Sequence, residues 1–258
     1  HYVDSVPAIA RVDGDDIFDI IVGSDDDFVY ALSGLNGSII WEYQTSGDVQ
    51  GGVVVWDINN DTKLEVAFAS LDGYIYALNI KNGDLLWKTN LGSPAYTNPG
   101  VDDIDGDGVM ELIVGTTGGY LYAINGLNGA VKWSLNLGND VEGVLAMADV
   151  NNDGYIELFV GDDGGNLYCI NATGFILWSL STGEKIHFMP VVTDYNFDNQ
   201  FEVIFGNYDG YLYIVNGTNG NLIWKTFIGG ELRSPVLIDL NNDSMLDAVI
   251  PNLNGDVV

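Results

Sequence analysis

Two markers recur along the chain with one shared period, and that period limits the fold more than any other feature. An acidic loop begins at Arg11, Asp57, Asp103, Asp149, Asp194 and Asp239, in steps of 46, 46, 46, 45 and 45 residues. A tryptophan keeps the same spacing at Trp41, Trp87, Trp133, Trp178 and Trp224. A unit of this length that returns six times belongs to a repeat architecture, in which each unit buries its apolar surface against its neighbours. The repeats run about 6–51, 52–97, 98–143, 144–188, 189–233 and 234–258, the last incomplete.

Each unit reads as four short strands. In the second they span about Gly52 to Trp56, Leu64 to Ser70, Tyr74 to Asn79 and Leu85 to Thr89. They are joined by the acidic loop, by Asp72-Gly73 and by Asn82-Gly83, and the two glycine turns predict type I′ hairpins. In the third unit, Tyr120, Tyr122 and Ile124 share one face of a strand and Leu121 and Ala123 the other, so both faces are apolar. A small meander with two apolar faces must be stacked between like sheets. The expected fold is all-β: a β-propeller of four-stranded antiparallel blades, with five full blades and most of a sixth in this chain, in a whole ring of six to eight. The chain opens at a strand near Val6 to Ala10 and stops within the third strand of the sixth unit. It is expected to be one propeller domain taken from a longer chain.

The acidic loops carry the chemistry. In the third, Asp103, Asp105, Asp107 and Glu111 stand at relative positions one, three, five and nine, with Gly108 at the bend in position six. Alternate positions of a tightly curled loop can turn several oxygens inward, as a hard cation such as Ca²⁺ requires. Without a cation the carboxylates repel one another, by ~4 kcal/mol for a pair ~4 Å apart at an effective dielectric near 20. An EF-hand does not fit, because position twelve is Val114 and strands flank the loop. At the bend, Thr62 is poorly suited to positive φ, Asn199 tolerates it, and Ser244 stands there in the sixth unit.

The loop and its following strand, as in DVNNDGYIELFVG from Asp149 to Gly161, resemble the FG-GAP repeat of integrin α-subunit propellers and related surface proteins. The second half, as in YALNIKNGDLLW from Tyr76 to Trp87, resembles the tryptophan-docking repeat of PQQ-like propellers. The FG-GAP resemblance implies calcium ligands at Asp57, Asn59, Asp61 and Glu65; Asp103, Asp105, Asp107 and Glu111; Asp149, Asn151, Asp153 and Glu157; Asp194, Asn196, Asp198 and Glu202; and Asp239, Asn241, Asp243 and Asp247. It adds the main-chain carbonyls of Lys63, Val109, Tyr155, Gln200 and Met245. About five Ca²⁺ sites are expected. A sixth, at Asp13, Asp15 and Asp19, is doubtful, because Arg11 replaces the first ligand and can serve as the cation itself.

Composition narrows the function. A net charge of −29, from 37 acidic and 8 basic residues, repels nucleic acid and anionic membrane and favours cationic partners. No apolar run approaches a membrane span. The one cysteine, Cys169, excludes an intrachain disulfide; it takes the place of Ala31, Ala77 and Ala123 and reads as a small packed side chain. With only two histidines, His1 and His187, neither a histidine-based triad nor a zinc cluster can be assembled. The tryptophans recur in each of the five complete units, which suits packing between blades rather than one ligand site. His187, Phe188 and Met189 break the repeat and read either as a contact patch or as variable core residues. No signal peptide is visible. Sequons at Asn36, Asn60, Asn171, Asn216 and Asn242 offer N-glycosylation sites.

Together these features suggest a non-catalytic, calcium-stabilised propeller outside the cell, active in adhesion, protein–protein interaction or surface assembly. The partners expected are other proteins or surface glycans, with self-assembly open. The alternatives are a quinoprotein dehydrogenase or polysaccharide-active enzyme, and a carbohydrate-binding lectin.

Overall fold

A computed structural model describes residues 2–241 and 246–253. Asp243 and Met245 of the sixth loop, the Asn242 sequon and the third strand expected in the sixth unit lie outside them. All regular structure among the described residues is β.

Five four-stranded antiparallel meanders follow one another, each paired in sequence order. The first holds Ala8–Ala10, Asp19–Gly23, Phe28–Leu32 and Ile39–Gln44; the second Val54–Trp56, Glu65–Ala69, Tyr74–Asn79 and Leu85–Asn90. The third holds Gly100–Asp102, Glu111–Gly115, Tyr120–Asn125 and Val131–Asn136; the fourth Ala146–Ala148, Glu157–Gly161, Asn166–Ile170 and Ile176–Ser181. The fifth holds Val191–Thr193, Glu202–Gly206, Tyr211–Asn216 and Leu222–Phe227, and the sixth unit shows the pair Val236–Ile238 and Asp247–Val249. The meander and its strands agree with the sequence reading to within a residue or two at most ends.

The turns depart from it. Gly73 N donates to Ser70 O at 3.1 Å and Ser70 N to Tyr74 O at 3.0 Å, and only the glycine has positive φ, 83°. That is a three-residue loop closed by a left-handed glycine rather than a type I′ turn. The Asn82-Gly83 connection is longer, with Gly83 N on Asn79 O at 2.9 Å and Gly83 alone at φ 70°. The Asn79 side chain holds it by accepting Lys81 N at 2.9 Å, so the Asx residue that ends the preceding strand helps to fix its type.

The chain divides into two compact units, His1–Glu142 and Gly143–Val258. Within the first, the period-two alternation of a strand buried on both faces is visible in Glu65–Ala69. Val66 and Phe68 join Ile21, Val29 and Ala31 of the first blade in one core, while Ala67 and Ala69 join Leu112 and Val114 of the third in another. The second unit repeats the scheme, with Phe159 and Cys169 packed with Val203 and Phe205, and Ile204 and Ile214 packed with Leu232 and Ile250.

Three of the five tryptophans are seen docked on the next blade, as their periodicity predicts, while Trp224 is 40% exposed. Trp41 donates its indole N–H to Ile80 O at 2.7 Å, Trp87 to Gly126 O at 2.9 Å and Trp178 to Gly217 O at 2.9 Å. Each indole lies on the glycine of the next blade's turn: a Cβ at Gly83 would stand 2.9 Å from Trp41, at Gly129 2.6 Å from Trp87 and at Gly220 2.6 Å from Trp178. On their own sheets Trp41, Trp87, Trp133 and Trp178 face small partners, Ala31, Ala77, Ala123 and Cys169, before a bulge, whereas Trp224 faces Ile214. Cys169 is fully buried there and burial pushes its thiol far up, which makes it a packing residue and not a nucleophile.

Candidate metal centres

The loops between the first and second strands of the blades share one hydrogen-bonded frame. In the second to fifth, the position-one carboxylate accepts two amides with its two oxygens: Asp57 from Asp61 and Thr62, Asp103 from Asp107 and Gly108, Asp149 from Asp153 and Gly154, and Asp194 from Asp198 and Asn199, all at 2.8–3.1 Å. Position five accepts the position-seven amide: Asp61 from Lys63, Asp107 from Val109, Asp153 from Tyr155 and Asp198 from Gln200. The amides of position seven are thereby fixed. The position-three amides Asn59, Asn151 and Asn196 accept the position-five N–H through Oδ1.

Position nine has a role that spacing alone does not reveal. Glu65, Glu111, Glu157, Glu202 and Asp247 accept the amide of position two, from Ile58, Ile104, Val150, Tyr195 and Leu240, at 3.0–3.3 Å. The four glutamates are also buried, at 0–2% exposure, so each fastens the loop to the sheet and brings a charge into the interior. Burial is the largest influence on them and raises all four; Glu65 is pushed up to about 7, with Asp61 and Asp57 adding to the effect. A buried carboxylate of this kind is stabilised by a proton or a cation.

The bend at position six takes positive φ at Thr62 (70°), Gly108 (86°), Gly154 (88°) and Asn199 (66°). Thr62 adopts it despite its branched side chain, with its own amide and that of Asp61 held on Asp57. Position four is left-handed as well, at Gly14, Asn60, Gly106, Asn152 and Phe197. The run of Gly and Asn there carries that signal; Phe197 conceals it.

The first loop differs from the others. Arg11 pairs with Asp16, an acid of the same loop, at 3.6 Å and lies over Phe18 at 5.4 Å. Oxygens of Asp13, Asp15 and Asp19 come within 4.8 Å of one another. Burial tends to raise Asp19, but amides of Val12, Gly34 and Asp13 outweigh it and hold the carboxyl below its ordinary value.

The third loop differs more. Asp103, Asp105 and Glu111 bring oxygens within 4.8 Å of one another, and Lys132 reaches into the cluster from the fourth strand. Its Nζ stands 2.6 Å from Asp105 Oδ2, 2.9 Å from Glu111 Oε1 and 3.0 Å from Asp107 Oδ2. Asp105 Oδ1 is buried without a donor. In the fourth loop Asn151 Nδ2 donates to Glu157 Oε1 at 3.1 Å, and in the second Lys63, largely exposed, touches Asp61 alone at 3.1 Å. The oxygen-rich donor sets of the second, fourth and fifth loops fit a hard divalent ion; that of the third already holds an ammonium. In the sixth, Asp239, Asn241 and Asp247 are described.

Two other sequence features are placed. Asn36 is exposed on a turn, whereas Asn60 gives its amide nitrogen to Gly108 O at 2.9 Å, tying the second loop to the third. His187 and Phe188 meet edge to face at 5.1 Å, Phe188 stacks on Tyr208 at 6.1 Å, and the Arg233 guanidinium covers Phe188 at 4.5 Å. Met189 beside them is 40% exposed. Tyr208 and Arg233 were not legible as members of this group, because they come from separate connections of the fifth unit.

Residues 110–247, more than half of the chain, match the family model of PQQ-like repeats described as outer membrane protein assembly factor BamB. The chain belongs to this PQQ-like propeller family. A second model, the lambda-carrageenase β-propeller domain, matches residues 20–98 of the PQQ-like propeller. No curated protein sequence matches it. Among solved structures it is similar to the computationally designed Ika8 protein, at 15% identity and a TM-score of 0.74, over 98% of this chain and 69% of that one. It is similar to Saccharomyces cerevisiae Sqt1 at 16% identity and 0.72, over 91% and 66%, and to BamB from Moraxella catarrhalis at 20% and 0.57, over 97% and 83%. These likenesses show the β-propeller fold. The integrin-like half of the sequence resemblance stands on the acidic loops alone.

Proposed function

We propose that this PQQ-like propeller is a non-catalytic, calcium-stabilised module that acts outside the cell in adhesion, protein–protein interaction or surface assembly. The observation that carries the reading is the buried position-nine glutamate in loop after loop, held by a backbone amide and raised by burial, Glu65 to about 7. A charge placed this way in several blades is a standing demand for a cation, and calcium at the FG-GAP positions would meet it. Each site held at a hundred times its dissociation constant adds about 2.7 kcal/mol to folding. Exterior modules tolerate the weaker sites of this class, because free calcium is high there.

The match to repeats described as an assembly factor supports a protein partner, and the partly exposed group around Phe188, Tyr208 and Arg233 is the contact patch we favour, since it breaks the repeat where packing would keep it. Thermal unfolding with calcium, with magnesium and with chelator, alongside metal analysis, tests the calcium reading. Chelator should lower the melting temperature and calcium restore it, with several ions bound per chain. Indifference to chelator together with calcium-free protein would sink it.

A second reading, a carbohydrate-binding propeller, is favoured by one observation. Trp56, outside the docking series, is 53% exposed within the segment that matches the lambda-carrageenase propeller domain. Titration with lambda-carrageenan should quench the fluorescence of the wild type and not of Trp56→Ala if this reading holds.

A further inference from the structure

We propose that Lys132 is the resident cation of the third loop, and that this loop, whose acid spacing is the most regular in the chain, does not take calcium. The inference rests on the reading of the other loops as calcium sites. Position 132 immediately precedes the docking tryptophan, and the matching residues in the other units are Ile40, Leu86, Leu177 and Ile223. A lysine stands here in one repeat of five.

Its ammonium has three N–H groups, and the three nearest carboxylates, Asp105, Glu111 and Asp107, each lie within 3.0 Å of it. The ammonium, charged at neutral pH as an ordinary lysine is, donates to all three carboxylates and so neutralises the cluster from within. A calcium ion needs those same oxygens at ~2.3 to 2.6 Å. It cannot share them with an ammonium at hydrogen-bond distance, because the two cations would stand a few ångströms apart in a partly dry site. Calcium would enter only by expelling Lys132 and breaking three charge-assisted hydrogen bonds.

The test counts calcium ions per chain by equilibrium dialysis against calcium chloride and metal analysis, in wild type, Asp107→Asn, Lys132→Leu and the double variant; position five is aspartate in the second to fifth loops. Wild type and Asp107→Asn should bind the same number, Lys132→Leu one more, and the double variant the wild-type number again. Loss of one ion on Asp107→Asn in the wild-type background would overturn the proposal, and so would a Lys132→Leu count equal to the wild type. If Lys132→Leu does not fold, the Asp107→Asn comparison decides alone. Asp61→Asn and Asp153→Asn separate the two readings. If neither changes the count and wild type binds none, the calcium reading of those loops fails, while one ion gained by Lys132→Leu still upholds the assignment of Lys132.

Discussion

Glu65 and Glu111 hold the same place in adjacent blades. Each opens the second strand, each is buried, and each accepts the position-two amide, at 3.2 and 3.3 Å. The loops around them share the same aspartate frame, yet Glu111 meets Lys132 at 2.9 Å, whereas the lysine of the second loop, Lys63, contacts Asp61 from the solvent side. The acid spacing therefore specifies the shape of the loop and not the cation that neutralises it. That is decided by a residue 21 positions downstream of Glu111, on another strand.

The largest expected effect is in the pH dependence of the metal-free protein. Glu65 titrates near 7 in the folded state against an ordinary 4.5, so the fold binds its proton more tightly than the unfolded chain does. The resulting stability is fully present below pH about 4.5 and is lost as pH rises through about 7, a change of roughly 3 kcal/mol. Glu65→Gln should abolish that part of the slope and raise metal-free stability at pH 8, measured by urea unfolding across pH. With saturating calcium the order should reverse, since the amide is the poorer ligand. A pH-independent wild type in chelator would break the comparison at its root.

The second test exchanges the two solutions. Lys132→Leu gives the third blade the residue of the second, and Leu86→Lys does the reverse, at a position 45% exposed and thus free to carry a long side chain. Without metal at pH 8, Lys132→Leu should cost about 2 to 3 kcal/mol, because it leaves Glu111 buried and unpaired. Leu86→Lys should make the metal-free protein less sensitive to pH. If Leu86→Lys leaves the pH slope of the wild type intact, position 86 does not reach Glu65 and the two blades are not interchangeable.

The repeat period, the meander, the docking role of the tryptophans and the packing of Cys169 were legible because each follows from local alternation or from a marker seen in every unit. The acidic frame was legible as a loop for the same reason. Three things were not. The turn types depended on Asx side chains such as Asn79, which choose between turns that a glycine alone permits. The left-handed position four is written in Gly14, Asn60, Gly106 and Asn152 but broken by Phe197. Lys132 was invisible because its partners lie across a sheet, although its signal was present: one charged residue in a slot otherwise filled by isoleucine or leucine. Arg11, at position one of the first loop, meets Asp16 of that loop and Phe18, a pairing that spacing alone does not specify.

The bends sharpen the comparison at a smaller scale. Thr62 and Gly108 occupy the same left-handed position, at φ 70° and 86°. Thr62→Gly should stabilise the second loop by about 1 kcal/mol, and Gly108→Thr should destabilise the third by a similar amount or somewhat more. Equal and negligible effects in both would mean that the aspartate frame, and not the bend residue, sets this backbone.

The smallest effect asks whether the two loops act independently. Asn60 donates to Gly108 O at 2.9 Å, a bond between the second loop and the bend of the third, and both ends are at or near the surface. Asn60→Asp keeps a residue that tolerates φ 59° but removes the donor, for an expected loss of about 0.5 to 1 kcal/mol. Combined with Lys132→Leu in a double-mutant cycle without metal, it gives the coupling directly. Losses that add to within ~0.5 kcal/mol would make the loops separate devices. A larger interaction would mean that neutralising the third loop also holds the second in shape, so that calcium bound next to Glu65 is favoured by the lysine next to Glu111.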